Sequence, residues 1–113
     1  MKVSYHMFLI FLSICTCIAC VNVRLELMDI VEEWDDLGEV LGLPHSEVAA
    51  IKTDHPLNVR QCLKEMVHQW FKGKGSGPPP SWKSLCEALR HPLVGRKDVA
   101  SKIEKKYMYV TNQ

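Results

Sequence analysis

The sequence lacks the patterns from which β-sheets and large catalytic folds are built. Its 113 residues contain few runs of β-branched side chains, and no alternation of apolar and polar residues persists along the chain. The length is too short for an α/β barrel or a two-half dinucleotide-binding fold. No internal repeat is present. These absences favour one small helical domain.

The chain also lacks the residue patterns of common catalytic and metal-binding sites. Its five histidines show no metal-ligand spacing, and no Ser-His-Asp or Cys-His arrangement is indicated. The glycine-rich segment at residues 73–77 contains a lysine, but its spacing differs from that of a P-loop and three prolines follow it. Asp35 and Asp36 are adjacent, so on a helix they project from different faces, unlike a general acid–base pair. We therefore expect no enzyme activity, no cofactor and no metal site.

The cysteine content does not indicate a disulfide-rich scaffold. There are five cysteines, an odd number, and three of them lie in an apolar N-terminal segment. The other two, Cys62 and Cys86, occupy apolar positions of helical patterns, which is typical of buried free thiols. Free thiols favour a reducing compartment, so we expect residues 25–107 to be cytoplasmic.

Residues 1–23 form an apolar segment that resembles a targeting sequence. Lys2 precedes the apolar run, and a small residue, Ala19, lies near its end. The run holds about 17 residues, which is the short limit for a membrane span. Three interpretations remain open: a cleaved signal peptide, a membrane anchor within residues 7–23, and an error in the assigned start of the gene. Residues 108–113 are interpreted as a tail.

Residues 25–107 show the periodicity of six short helices. The first is predicted at Leu25–Glu33, and the second follows it directly and is predicted to end at Gly42. Ser46, Asn58 and Ser81 are candidate N-caps of the third, fourth and fifth helices. The glycine- and proline-rich segment at residues 73–80 is predicted to be an exposed loop. Such short helices must share one core, which we expect to contain Trp34, Leu37, Leu63, Trp70, Trp82, Leu85 and Ile103.

The net charge of +1 conceals an uneven distribution of charge along the chain. Seven acidic residues and no basic residue lie between Glu26 and Glu39, whereas residues 52–106 contain twelve basic and five acidic residues. If these acids are uncompensated, the chain can meet a copy of itself head to tail, in an assembly that need not close. An ordinary soluble surface is one alternative. The other is a small basic-faced helical nucleic-acid-binding domain, with the cations Lys72, Lys74, Lys83, Arg90, Arg96, Lys97, Lys102, Lys105 and Lys106.

The order of these segments resembles a known family. Residues 34–44, Trp-Asp-Asp-Leu-Gly-Glu-Val-Leu-Gly-Leu-Pro, resemble the Trp-x-x-Leu-x-x-x-Leu-Gly-Leu stretch of death domains. Residues 47–51 and the break at residues 55–56 resemble the third helix of the family and the turn after it. The segment that ends at residues 69–71 resembles the fourth helix, and residues 80–89 and 95–103 resemble the fifth and sixth. The resemblance covers residues 25–107.

The resemblance implies an all-α fold, a six-helix antiparallel bundle of Greek-key topology. It also implies a non-catalytic module that binds other death domains or itself in apoptosis or innate immune signalling, with no small-molecule substrate and no nucleic acid. Family contacts of one type map to charged residues on two surfaces, Asp35, Asp36 and Glu39 against Arg60 and Lys64. Contacts of a second type map to Lys72, Lys74, Arg96 and Lys97.

The N-terminal segment departs from this family pattern. Family members act in the cytosol, whereas a cleaved signal peptide would place the domain in an oxidising compartment. A membrane anchor that leaves the C-terminus in the cytosol would reconcile the two. An adaptor and a fragment of a receptor both remain open.

Overall fold

The computed structural model describes residues 18–108, and every regular element within them is helical. Six α-helices follow one another: α1 (Ile18–Glu26), α2 (Trp34–Val40), α3 (His45–Asp54), α4 (Val59–Phe71), α5 (Trp82–Arg90) and α6 (Lys97–Ile103). A 3-10 segment, Met28–Glu33, connects α1 to α2, and a π-helical turn, Glu104–Met108, continues α6. These elements confirm the predicted all-α class.

One hydrophobic core joins the six helices, and α4 is its largest contributor. Six of the thirteen residues of α4 are buried, at the spacing of one helical face. Buried side chains of all the other helices belong to the same cluster, and α1, α2 and α3 pack directly against α4. Of the predicted core residues, six are at most 4% exposed: Trp34, Leu37, Leu63, Trp70, Leu85 and Ile103.

Trp82 is the exception to the predicted core. Its side chain is only partly buried and packs on the edge of the cluster. There it stacks on Tyr107, with 4.0 Å between ring centroids and 9° between ring planes. The contact ties the π-helical turn at the end of the chain to the start of α5.

The bundle begins further toward the N-terminus than residue 25. Helix α1 starts at Ile18, and Cys20 and Val23 are only 4% and 5% exposed in the core. Ala19, Cys20 and Val23 therefore pack against the protein itself, although the sequence joins them to the apolar N-terminal segment. The predicted helix at 25–33 is divided, because Ile30 has a non-helical backbone (φ −126°) and residues 28–33 form the 3-10 segment.

Two further expectations concern residues outside the described part of the chain. The interpretations of residues 1–23 as a signal peptide or an anchor rest largely on residues 1–17, which lie there, as do residues 109–113 of the tail. Within residues 18–108, no helix has the length and apolar character that crossing a membrane requires.

The helix ends show which local signals act as predicted. The Asn58 side chain accepts a hydrogen bond from the backbone N–H three residues later (3.1 Å), and Ser81 does the same at the start of α5 (3.0 Å). Ser46 is not a cap, because α3 begins one residue earlier and Pro44 precedes it without a side-chain hydrogen bond. Proline suits this position since its φ is already fixed.

Candidate protein-interaction surfaces

Three acidic side chains project from α2 and form what we call the acidic surface: Asp35, Asp36 and Glu39. The buried side chains Trp34 and Leu37 fix the rotation of α2 about its axis. The three acids of the same helix therefore point away from the core. Asp35 and Asp36 lie in the first turn, where the helix dipole favours negative charge. The local sequence therefore places all three carboxylates on one short helix.

Two basic side chains of α3 contact the acidic surface. Lys52 Nζ lies 3.3 Å from Asp35 Oδ2, and His45 Nδ1 lies 3.3 Å from Glu39 Oε2. Both contacts are solvent-exposed, and pairs of this kind contribute little to stability. The Asp36 carboxylate has no ion pair within residues 18–108.

Arg60 and Lys64 lie one turn apart on α4, and both are exposed. Arg24 of α1 joins them across a shallow cleft of about 230 Å³, whose wall includes Met28. We call Arg24, Arg60 and Lys64 the basic surface. None of the three has an ion pair among the described residues. Sequence reasoning missed Arg24, because it was assigned to the flank of the apolar segment rather than to the first helix.

The four residues of the second predicted contact differ in whether other side chains of the domain pair with their charges. Lys72, at the C-terminal end of α4, and Lys74, in the following loop, are exposed, as is Lys97. Arg96 is instead held by the chain itself. Its guanidinium group donates two 3.1 Å hydrogen bonds to the Asp98 carboxylate.

Arg96 also connects the start of α6 to the 3-10 segment. Its Nη1 atom lies 3.6 Å from Glu33 Oε2. The hydrogen bonds from Arg96 lower the pKa of the Asp98 carboxyl below its usual range. The guanidinium charge is thus largely compensated within the domain, whereas Lys97 has no ion pair among the described residues.

Two more ion pairs connect the N-terminal acids to the C-terminal bases. Lys106 Nζ and the Tyr107 hydroxyl both donate to Glu26 Oε2, at 2.7 and 2.8 Å. Lys102 Nζ lies 3.4 Å from Asp29 Oδ2. Together with the Arg96–Glu33 pair, these contacts compensate three acids of the run from residue 26 to residue 39. The cations lie at the start of α6, within α6 and in the turn after it. The charge asymmetry of the sequence is therefore partly cancelled by folding, contrary to the expectation of a wholly uncompensated acidic run.

Glu26 is the most enclosed member of these pairs, with a side chain only 10% exposed. Burial raises the pKa of its carboxyl, but the hydrogen bonds from Lys106 and Tyr107 outweigh burial, and the net pKa is lowered. The carboxylate is consequently charged at neutral pH and binds α1 to the end of the chain.

The buried cysteines show no sign of a reactive site. Cys20, Cys62 and Cys86 are buried, and Cys62 and Cys86 are free thiols. The Cys62 thiol donates to the His55 carbonyl at 3.3 Å, and burial raises the pKa of Cys86 to about 11. Within residues 18–108, no group of His, Cys, Asp or Glu side chains is arranged to hold a metal ion.

Comparison with known proteins identifies the family. The Death domain family model matches residues 20–107, which span α1 to the π-helical turn. No curated protein and no solved structure matches the chain. Death domains are protein–protein interaction modules of signalling pathways and are generally non-catalytic. From this match and from the six helices that share one core over the same residues, we conclude that the chain belongs to the death domain family.

Proposed function

We propose that this domain binds other death domains, including copies of itself, by docking its acidic surface on the basic surface of a neighbour. One observation carries the proposal. Folding pairs Glu26, Asp29 and Glu33 with cations of the domain, but leaves Asp36 on α2 and the Arg24, Arg60 and Lys64 cluster without ion pairs among the described residues.

The geometry of these surfaces supports a contact between different patches. The acidic surface lies on α2 and the basic surface on α1 and α4, so each domain carries both halves of the interface. When the acidic surface of one domain docks on the basic surface of another, the pair still has one unused acidic surface and one unused basic surface. Further copies can therefore add. Complementary charge sets partner choice and accelerates encounter, and the cleft beside Met28 supplies apolar area to the same contact.

The exposed lysines extend the proposal to a second contact. Lys72 and Lys74, with Lys97, offer cations to a neighbouring acidic patch. Arg96 contributes less to such a contact, because Asp98 and Glu33 already hold its guanidinium.

The cellular setting is part of the same proposal. We place the domain in the cytoplasm, as an adaptor in apoptosis or innate immune signalling. The free thiols of Cys62 and Cys86 support this setting, since an oxidising compartment favours disulfides. A membrane contact through the apolar segment would involve residues 7–17, because Cys20 and Val23 are buried in the core.

Charge reversal on each surface tests the proposed function. Asp35→Lys with Asp36→Lys should lower self-association measured by sedimentation velocity, while the far-ultraviolet circular dichroism of the helices stays unchanged. The same loss is expected for Arg60→Glu with Lys64→Glu. Association should also weaken as salt rises from low ionic strength to about 0.1 M and above, where charges are screened over about 10 Å.

Matched reversals elsewhere on the surface provide the control. Lys83→Glu with Lys105→Glu changes the same amount of charge at exposed positions outside both surfaces, and should leave association intact. If Lys83→Glu with Lys105→Glu lowered self-association as much as Arg60→Glu with Lys64→Glu, docking at defined surfaces would be contradicted. A domain that stays monomeric, captures no death domain and binds a generic oligonucleotide in a steeply salt-dependent manner would favour the nucleic-acid alternative.

A further inference from the structure

The loop at residues 73–80 packs closely on the turn between α2 and α3, and Ser76 makes hydrogen bonds across the contact. The Ser76 backbone N–H donates to the Gly42 carbonyl at 2.9 Å, and the Ser76 hydroxyl lies 3.3 Å from the same oxygen. The two backbones come so close that a Cβ on Gly42 would lie 2.4 Å from the nitrogen of Gly77. Within the described residues, Ser76 makes the hydrogen bonds that hold the middle of this loop in place.

The loop forms one wall of an open pocket that also includes two buried aromatic side chains. Trp70 and Phe71, at the end of α4, are 2% and 3% exposed, and with the loop they line this pocket of about 310 Å³. The Trp70 Nε1 donor is buried and has no hydrogen-bond partner among residues 18–108. The part of the loop that meets the turn is glycine backbone and Ser76, so the Ser76 hydrogen bonds are the interactions whose loss would release it.

Ser76 differs from the other serines of the described chain in its backbone setting. Ser46 and Ser101 lie within helices, Ser81 caps α5, and Ser84 is buried. Ser76 is exposed and lies in an irregular loop between glycines. An extended loop fits a protein kinase active site without unfolding a helix.

The charged residues near Ser76 in the sequence are all basic. Lys72 and Lys74 lie four and two residues before it, and no acidic residue occurs between residues 66 and 86. Kinases discriminate among substrates partly by charge pattern. A kinase with an acidic peptide groove is therefore the class that this loop suits.

We propose that Ser76 is a phosphorylation site whose modification releases the loop from the α2–α3 turn. The Ser76 oxygen attacks the γ-phosphorus of ATP, the bond to the bridging oxygen of ADP breaks, and the hydroxyl proton passes to the base of the kinase. The phosphate carries a charge of about −1.5 to −2. Its oxygens repel the Gly42 carbonyl that the hydroxyl contacted, and they neutralise Lys72 and Lys74.

The released loop changes two surfaces at once. It uncovers Trp70 and Phe71, and it removes positive charge from the second proposed contact. The regulatory meaning of this site rests on the cytoplasmic setting proposed above, because a kinase and ATP must be present. The chemistry itself is tested on purified protein, so a failure here is separate from a failure of death-domain association.

The first experiment asks whether the loop is a kinase substrate. The full chain is incubated with ATP and a basophilic serine kinase, protein kinase A or protein kinase C, and the phosphate is located by mass spectrometry. We expect phosphate on Ser76 and its loss in Ser76→Ala. Lys72→Ala with Lys74→Ala should slow the reaction, whereas Lys83→Ala with Lys105→Ala should not. Phosphate on Ser101 without phosphate on Ser76, or no phosphate on either, overturns the proposal.

The second experiment asks whether the phosphate releases the loop. Hydrogen–deuterium exchange of the Ser76 amide is compared in phosphorylated and unmodified full chain, each normalised to a matching peptide. We expect exchange to accelerate at least roughly fivefold, as for loss of one net hydrogen bond, with quenching of Trp70 fluorescence by a soluble quencher rising in parallel. An unchanged exchange rate in the phosphorylated protein overturns the release mechanism.

Discussion

Replacing Gly42 with alanine should destabilise the domain more than the same replacement at Gly73. Both glycines have a left-handed backbone, with φ of +100° and +81°, so alanine is strained at each. A left-handed alanine costs about 1–2 kcal/mol. At Gly73 nothing lies within 4 Å of the added Cβ, and this strain is the whole cost.

At Gly42 the added methyl also meets the backbone of the covering loop. It would lie 2.4 Å from the nitrogen of Gly77, so the loop must move and its hydrogen bond to the Gly42 carbonyl is lost. That bond is worth about 0.5–1.5 kcal/mol net. We therefore expect Gly42→Ala to lower the free energy of unfolding by about 1.5–3.5 kcal/mol, and Gly73→Ala by about 1–2 kcal/mol.

Urea unfolding, followed by circular dichroism, measures both variants under the same conditions. The gain from a less flexible unfolded chain is common to the two replacements and cancels in the comparison. An unchanged slope against urea would show that the unfolded state is not altered. Equal destabilisation of the two variants would refute the close packing of the loop on the α2–α3 turn.

Three further outcomes follow from the core and its ion pairs. Leu63→Ala should lower the free energy of unfolding in urea by about 2–5 kcal/mol, because Leu63 is buried in the core. The Glu26 carboxyl has a lowered pKa in the folded state, so its contribution is present above pH 4.5 and is lost as pH falls below it. Glu26→Gln should accordingly flatten the fall in stability measured by thermal unfolding below pH 4.5, and an unchanged acid slope would contradict this. Cys86, whose pKa is raised to about 11, should resist alkylation in native protein at pH 8 and react once the protein is denatured, as mapped by mass spectrometry.

The features that local sequence determines were predicted, and those that depend on distant partners were not. The caps at Asn58 and Ser81 act within one helical turn, and the apolar stripe of α4 repeats within one segment. By contrast, Lys106 is paired with Glu26, eighty residues away in the sequence, and no linear pattern of charge reveals that pairing.

The start of the domain illustrates a different limit. Residues 18–23 are as apolar as the residues before them, and composition does not separate burial in lipid from burial in a protein core. The contacts of Cys20 and Val23 with the core supply that distinction. The same boundary explains why Arg24 was overlooked as a member of the basic surface.

Mixing two complementary variants tests docking between the acidic and basic surfaces most directly. Protein with Asp35→Lys and Asp36→Lys keeps its basic surface, and protein with Arg60→Glu and Lys64→Glu keeps its acidic surface. Each variant alone should sediment as a monomer. An equimolar mixture should form a one-to-one complex, because one intact acidic surface meets one intact basic surface, and high salt should dissolve it. A mixture that sediments as two monomers, while the wild-type domain associates under the same conditions, would contradict the account.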